Sequence, residues 1–185
     1  MKFTYEFIES EKFFVFFKKN RSKIFSDDFD FDIDRILTNE EKEKRNNHKR
    51  IFSKGHSYYL VAKKNDEIIG WSFGVQKSAE DYYMVNSAVF PNYRNKGIYT
   101  MMLNKSVELI SKQGFQRIYS LHKMSNNPIL IPKLKYGFII TGFEINDVFG
   151  SLVELSYYTN PTRRELLEIR IGRKKIDSDK MGLIK

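Results

Sequence analysis

Residues 57–63 and 67–76 are two β-rich runs, the second alternating between two faces, with Lys64, Asn65 and Asp66 between them. This pattern predicts two antiparallel strands joined by a tight turn. Within the second run, Ile69, Trp71, Phe73 and Val75 should share one face, opposite Ile68, Gly70, Ser72 and Gly74. A third β-rich run, residues 82–90, stops at Pro91. Upstream, residues 2–8 read as a first strand and residues 11–25 as a helix with Phe14, Phe17 and Ile24 near helical spacing. Residues 38–54 read as a charged helix opened by a capping box of Thr38 and Glu41 and braced by Glu40 with Lys44 and Glu41 with Arg45.

Downstream the period changes to that of an amphipathic helix over residues 99–113, carried by Met102, Val107, Leu109 and Ile110 and closed by Gly114. A strand at 117–123, a short helix at 128–135 ending at Gly137, and a closing antiparallel pair at 138–145 and 152–158 follow. Residues 161–175 read as a terminal helix, with the last few residues loose. Strands that first pair as hairpins and then run β-α-β-α-β-β imply a mixed sheet with helices on its faces. One domain is expected over residues 1–160, with residues 161–185 adding a C-terminal helix and basic tail.

Composition narrows the chemistry. The 185 residues include 16 Phe, 11 Tyr and 1 Trp, too aromatic for a disordered chain. The absence of cysteine excludes a disulfide scaffold, a thiolate zinc site and a thiol nucleophile. His48, His56 and His122 are not at metal-ligand spacing, so no metal is expected. Apolar clusters such as residues 13–17 fall far short of the ~20 residues of a membrane helix. Glu6, Glu9 and Glu11 stand where a signal peptide would be apolar. The cytoplasm is the simplest compartment, with no membrane partner.

The net charge of +9 raises the expectation of an anionic partner, whether nucleic acid, lipid headgroup or phosphorylated cofactor. The one counter-current is the segment 27–34, with five Asp. The spacing of Asp30, Asp32, Asp34 and Glu41 imitates a calcium loop, but Arg35 stands where that loop needs glycine, and Thr38 with Glu41 explains a helix cap better. The segment reads as an acidic surface loop balancing nearby lysines, with attraction of a cationic amine to a substrate mouth as the functional alternative. Trp71, Phe73, Tyr82 and Tyr83 read as core before they read as an aromatic pocket. The basic run at residues 163–175 lacks any nucleic-acid motif and reads as a solvated helix face.

The chemistry concentrates at AVFPNYRNKGIYTMML, residues 88–103. A strand ends, a tight basic loop holds Gly97, and a helix starts. Free N–H groups at a helix start, a glycine that lets a ligand approach, and the charges of Arg94 and Lys96 together make a cradle for an anion. The segment VFPNYRNKGIY resembles motif A of the GNAT superfamily of N-acetyltransferases, V-x-P-x-x-[RQ]-x-x-G-x-[GA], at Val89, Pro91, Arg94 and Gly97. Tyr99 replaces the motif's final small residue and would narrow the cradle. SNNPILIPKLKYGF, residues 125–138, is similar to that family's motif B through Asn126, Gly137 and Phe138. The likeness extends over residues 57–145.

What the resemblance implies is specific. The fold would be α/β (α+β): a mixed, mostly antiparallel sheet of six to seven strands, helices on both faces, and a splay between strands four and five at a bulge near Val89. Acetyl-coenzyme A would lie along Ser87, Ala88 and Val89, with its pyrophosphate over Arg94, Asn95, Lys96, Gly97, Ile98, Tyr99 and Thr100, and with Asn126 contacting it. An acetyl group would pass directly to a primary amine, of a small molecule or a peptide, with a strand-four N–H facing the developing oxyanion. No nucleic-acid partner is implied, and a homodimer is left open. Relatives often carry a strand-four Glu base near Asn86 and a motif B Tyr acid where this chain has Lys133; Tyr136 is three residues away and does not take the role. Lys133 reads as a solvated surface lysine, though its charge could stabilise a thiolate. His122 is the expected base, with an ionisation between about pH 6 and 7.5, acting directly or through a water held by Asn86. If His122 is structural, the amine would lose its proton to solvent or to an acidic group such as Glu80 or Asp81. Two other functions stay open on the residues alone: a coenzyme A-binding module without catalysis, and a basic nucleic-acid-binding protein.

Overall fold

A computed structural model describes residues 2–25, 33–52 and 54–176. The described elements are β1 (Thr4–Phe7), α1 (Ser10–Ile24), α2 (Asn39–Phe52), β2 (Ser57–Lys64), β3 (Glu67–Gln76), β4 (Asp81–Val89), α3 (Ile98–Lys112), β5 (Arg117–Lys123), α4 (Asn127–Tyr136), β6 (Ile139–Asn146), β7 (Gly150–Tyr158) and α5 (Pro161–Arg170). Seven strands form one sheet in the order β1-β2-β3-β4-β5-β7-β6. Only β4 and β5 run parallel; all other neighbours are antiparallel. The α/β class, the mixed sheet and its parting between the fourth and fifth strands are as the resemblance implies.

The turn between β2 and β3 holds Asn65 and Asp66 at φ 47° and 66°, the left-handed pair that matches the twist of a hairpin. Apolar residues on one face of the sheet pack with α3: Leu60, Ile69, Tyr82, Met102, Val107 and Ile110 are buried together. On the other face Phe13 of α1 meets Val61, Trp71, Phe73 and Ala88. Aromatic edges and faces fill that second cluster, with the Phe13 ring 5.0 Å from Tyr59 and 5.2 Å from Phe73. Trp71, Phe73 and Tyr82 are therefore core.

Two bulges correct the expected pattern. Ala62 pairs with Gly70 and Lys63 with Ile68, so Ile69 is an extra residue in β3. The bulge turns Ile69 to the α3 face, while Ile68 packs near Trp71 and Phe73; the four residues expected on one face are split. Phe73 pairs with Asn86 and Gly74 with Met84, leaving Val85 extra in β4. The bulge in this strand thus lies at Val85, not near Val89. The terminal helix ends at Arg170 rather than at residue 175, because Gly172 takes φ +76° and Arg173 N–H returns to the Glu168 carbonyl.

The basic C-terminal segment is partly committed to the fold. Arg163 pairs with Glu80 at 2.7 Å, and Arg164 reaches Glu168 at 3.0 Å and the Gly137 carbonyl at 2.7 Å. Of the acidic segment, residues 27–32 lie outside the described residues; Asp34 pairs with Arg45 of α2. The last residues, 177–185, also lie outside them. Among the described residues no helix is long and apolar enough to cross a membrane.

Candidate functional site

The parallel pair β4 and β5 is joined by three registered couples only: Asp81 with Arg117, Tyr82 with Ile118 and Tyr83 with Tyr119. Beyond them β4 follows β3 and β5 follows β7, so the two strands part. Among the described residues, the edge of β4 that faces the gap, residues 86–89 included, has no strand partner there. At its far end the chain makes one 3-10 turn, Pro91–Tyr93, and enters α3 through Gly97 at φ +73°. The first ladder bond of α3 runs from Met101 N–H to the Gly97 carbonyl at 3.0 Å, which leaves the N–H groups of Ile98, Tyr99 and Thr100 outside the ladder. A Cβ on Gly97 would meet nothing within 4 Å, so the space above this turn is open.

A cleft of about 440 Å³ lies along this edge. Ser87, Ala88, Val89, Arg94, Asn95, Gly97, Ile98, Tyr99, Thr100 and Asn126 line it, all expected from the sequence. Lys96 does not: its Nζ donates to the Asn92 carbonyl at 2.9 Å and sits 5.5 Å from the Tyr93 ring centre. Arg94 is held at the cleft by Nε donating to the Val89 carbonyl at 3.2 Å. The Tyr99 ring forms part of the wall, but its hydroxyl is buried without a partner instead of crossing the cradle, and burial raises its pKa. Sequence reasoning missed Ile24 and Phe25 at the end of α1, Tyr93, and Pro128, Ile129 and Pro132 of α4. The α4 residues recur at positions i, i+1 and i+4, a one-sided apolar set that spacing alone could have revealed.

A second cavity, of about 600 Å³, opens on the other side of the gap and contains both residues expected to act in catalysis. Phe25, Ser87, Asn126 and Ile129 line both cavities, so the two meet at Ser87. Asn86 Oδ1 accepts the Trp71 indole N–H at 2.8 Å, leaving its NH₂ group to order anything beside it. His122 Nε2 lies 2.9 Å from Ser120 Oγ. Burial and the charge of Lys133 push the His122 imidazole down to about 3, below the range of pH 6 to 7.5 expected from the sequence. Asp81 and Glu80 are no alternative bases: they sit at the closed end of β4, Asp81 held by Arg117 Nε at 2.7 Å and Glu80 by Arg163.

The largest departure is Lys133. It is 1% exposed, not a solvated surface residue. Its Nζ donates to Ser120 Oγ at 2.6 Å and lies 3.5 Å from Met84 Sδ and 4.6 Å from the centre of the Phe138 ring. Burial alone pushes this amine down to about 7. Tyr136 packs on Tyr157 and Phe138, away from both cavities.

An elongated molecule with phosphates at one end and amides along its length fits the first cleft. The α3 N–H groups and Arg94 suit the anionic end, and the free edge of β4 suits the amides. A model of the acetyltransferase (GNAT) family matches residues 21–138. No curated protein matches. Among solved structures, a ribosomal-protein-S5-alanine acetyltransferase from Vibrio fischeri is similar at TM-score 0.63 and 16% identity, over 87% of this chain and 95% of that one. The ribosomal-protein-S18-alanine N-acetyltransferase of Escherichia coli matches at 0.60 and 15%, over 86% and 95%. A GNAT family acetyltransferase from Elizabethkingia anophelis with acetyl-CoA bound matches at 0.56 and 18%, over 84% and 97%. At these identities the likeness is one of fold.

Proposed function

Since the chain belongs to the GNAT acetyltransferase family, we propose that it moves an acetyl group from acetyl-coenzyme A directly to a primary amine, of a small molecule or a peptide. The observation that carries this reading is the meeting of two cavities at Ser87, the first lined by the start of α3 and Arg94 and the second by Asn86 and His122. When bound, acetyl-coenzyme A supplies an acetyl group activated as a thioester.

The chain's residues do the rest. The N–H groups of Ile98, Tyr99 and Thr100, with Arg94, hold the phosphates. Residues 86–89 of β4 hold the arm as an added strand would be held, and Asn126 closes the wall opposite. Holding donor and acceptor at one junction replaces a bimolecular encounter by a positioned one. Asn86, fixed by Trp71, orders the acceptor side through its free NH₂ group. His122 stays neutral at working pH and acts on the acceptor side by position, through Ser120, rather than by taking a proton. The amine sheds its proton to water in the second cavity.

The test is release of free thiol from acetyl-coenzyme A by the full chain across a panel of primary amines. Release that depends on an added amine is expected. Binding of acetyl-coenzyme A without amine-dependent release from any member would overturn transfer and leave a binding module.

A further inference from the structure

We propose that Lys133 is itself an acyl acceptor: with acetyl-coenzyme A in the cleft and no amine in the second cavity, the chain acetylates its own Lys133 Nζ. The inference rests on the reading of the first cleft as an acetyl-coenzyme A site. What carries it is where the amine sits. Met84 of β4 and Ser120 of β5 are the residues immediately past Tyr83 and Tyr119, the last registered couple before the strands part. Nζ touches both, 2.6 Å from Ser120 Oγ and 3.5 Å from Met84 Sδ, so it occupies the apex of the gap. Asn86, where the edge proposed to hold the cofactor arm begins, follows two residues after Met84, past the bulge at Val85. Although buried, Lys133 lines the second cavity beside Met84 and His122.

The groups facing Nζ are Ser120 and His122 from β5, Met84 from β4 and the Phe138 ring after α4. None is a carboxylate, so no counter-charge holds the ammonium form. Burial pushes the Lys133 amine down to about 7, so more of it is free amine near neutrality than of an exposed lysine. Ser120 leaves that amine usable. A neutral imidazole with its proton on Nδ1 accepts the Ser120 hydroxyl at Nε2, 2.9 Å away. The Ser120 oxygen then accepts an N–H of Lys133, and the nitrogen lone pair is left unshared. In the reaction the Nζ–C bond to the acetyl group forms as the C–S bond breaks. Sulfur leaves with the electron pair, and the proton lost from nitrogen goes to it, giving coenzyme A thiol and an uncharged Nε-acetyl amide. The product removes a buried charge, which favours it over a free ammonium in the same place.

Two measurements on the full chain test this. First, without any acyl donor, NMR of lysine labelled at Cε should show one resonance with a midpoint near neutrality, missing in Lys133→Met. Midpoints near 10 for all lysines would overturn the proposal. Second, incubation with acetyl-coenzyme A and no amine should add one acetyl group by intact mass. Peptide mapping should place it on Lys133, at a rate about tenfold lower in Ser120→Ala, where the amine remains but its orientation is lost. Acetyl spread over surface lysines would overturn the proposal. So would an unmodified Lys133 in a chain that acetylates an added amine, and in that case the proposed transferase function stands. A chain that binds no acetyl-coenzyme A by calorimetry overturns both.

Discussion

Gly97 sits at φ +73° with open space where a Cβ would stand, so a side chain there is resisted by backbone conformation and not by crowding. A β-branched residue pays roughly 1–2 kcal/mol in that region and would project into the approach to the α3 N–H groups. Gly97→Val should keep the fold and bind acetyl-coenzyme A at least about tenfold more weakly by calorimetry; unchanged affinity would place the phosphates elsewhere. Lys133 has an opposite signature, in stability. Its folded pKa lies below the ordinary lysine value, so between about pH 7 and 10.5 the unfolded chain binds more protons than the folded one, and stability rises with pH across that window. Lys133→Met removes this dependence. The variant should be more stable than the parent by a few kcal/mol at pH 6 and nearly equal to it at pH 10, by urea denaturation at the two pH values. Gly97 was legible in the sequence because a loop glycine before an amphipathic helix has few other uses. Lys133 was not. Burial of an unpaired cation is rare, and α4, with Ile129, Leu130, Ile131 and Leu134 around Lys133, has no polar face from which to read the direction of a lysine.

The elements differ in what holds them. From Asn39 to Arg50, helix α2 has no buried residue and depends on its cap and its charges. The cap is reciprocal: Glu41 N–H donates to Thr38 Oγ1 at 3.2 Å, and Thr38 N–H to Glu41 Oε2 at 2.8 Å. Thr38→Ala should cost ~1 kcal/mol and speed hydrogen exchange of the first α2 amides, while α3, buried through Met102, Leu103 and Ile110, is unaffected. Equal effects on both helices would mean that α2 is fixed by tertiary packing. The capping box, the hairpin turn and the strand boundaries near residues 57, 67 and 117 were readable from local chemistry, since each rests on residues adjacent in the chain. The bulges at Ile69 and Val85 were not, because an extra residue is defined by the partner strand, and the pairing partner of a strand is not written in its own alternation. The same limit explains why β7 rather than β6 lies against β5.

Across the whole molecule the sheet consists of two antiparallel sets, β1 to β4 and β5 with β7 and β6, joined by a seam of three couples and clasped by Asp81 with Arg117. The overall architecture was legible once motif A placed the seam, whereas the second cavity, built from α1, β4, β5, α4 and the β6–β7 turn, draws on elements far apart in sequence. The seam also bears on the order in which the molecule assembles. Within the two sets the hairpins β2–β3, β3–β4 and β6–β7 close through short loops, whereas the seam couples residues 36 apart and gains only three couples for that closure. Native contacts of this kind are made late, after the barrier is crossed. Asp81→Asn, which leaves Arg117 with a weaker partner, should therefore speed unfolding by about tenfold and leave the refolding rate nearly unchanged in stopped-flow chevrons. A refolding limb that slows by the same factor would instead make the parting strands the place where folding starts.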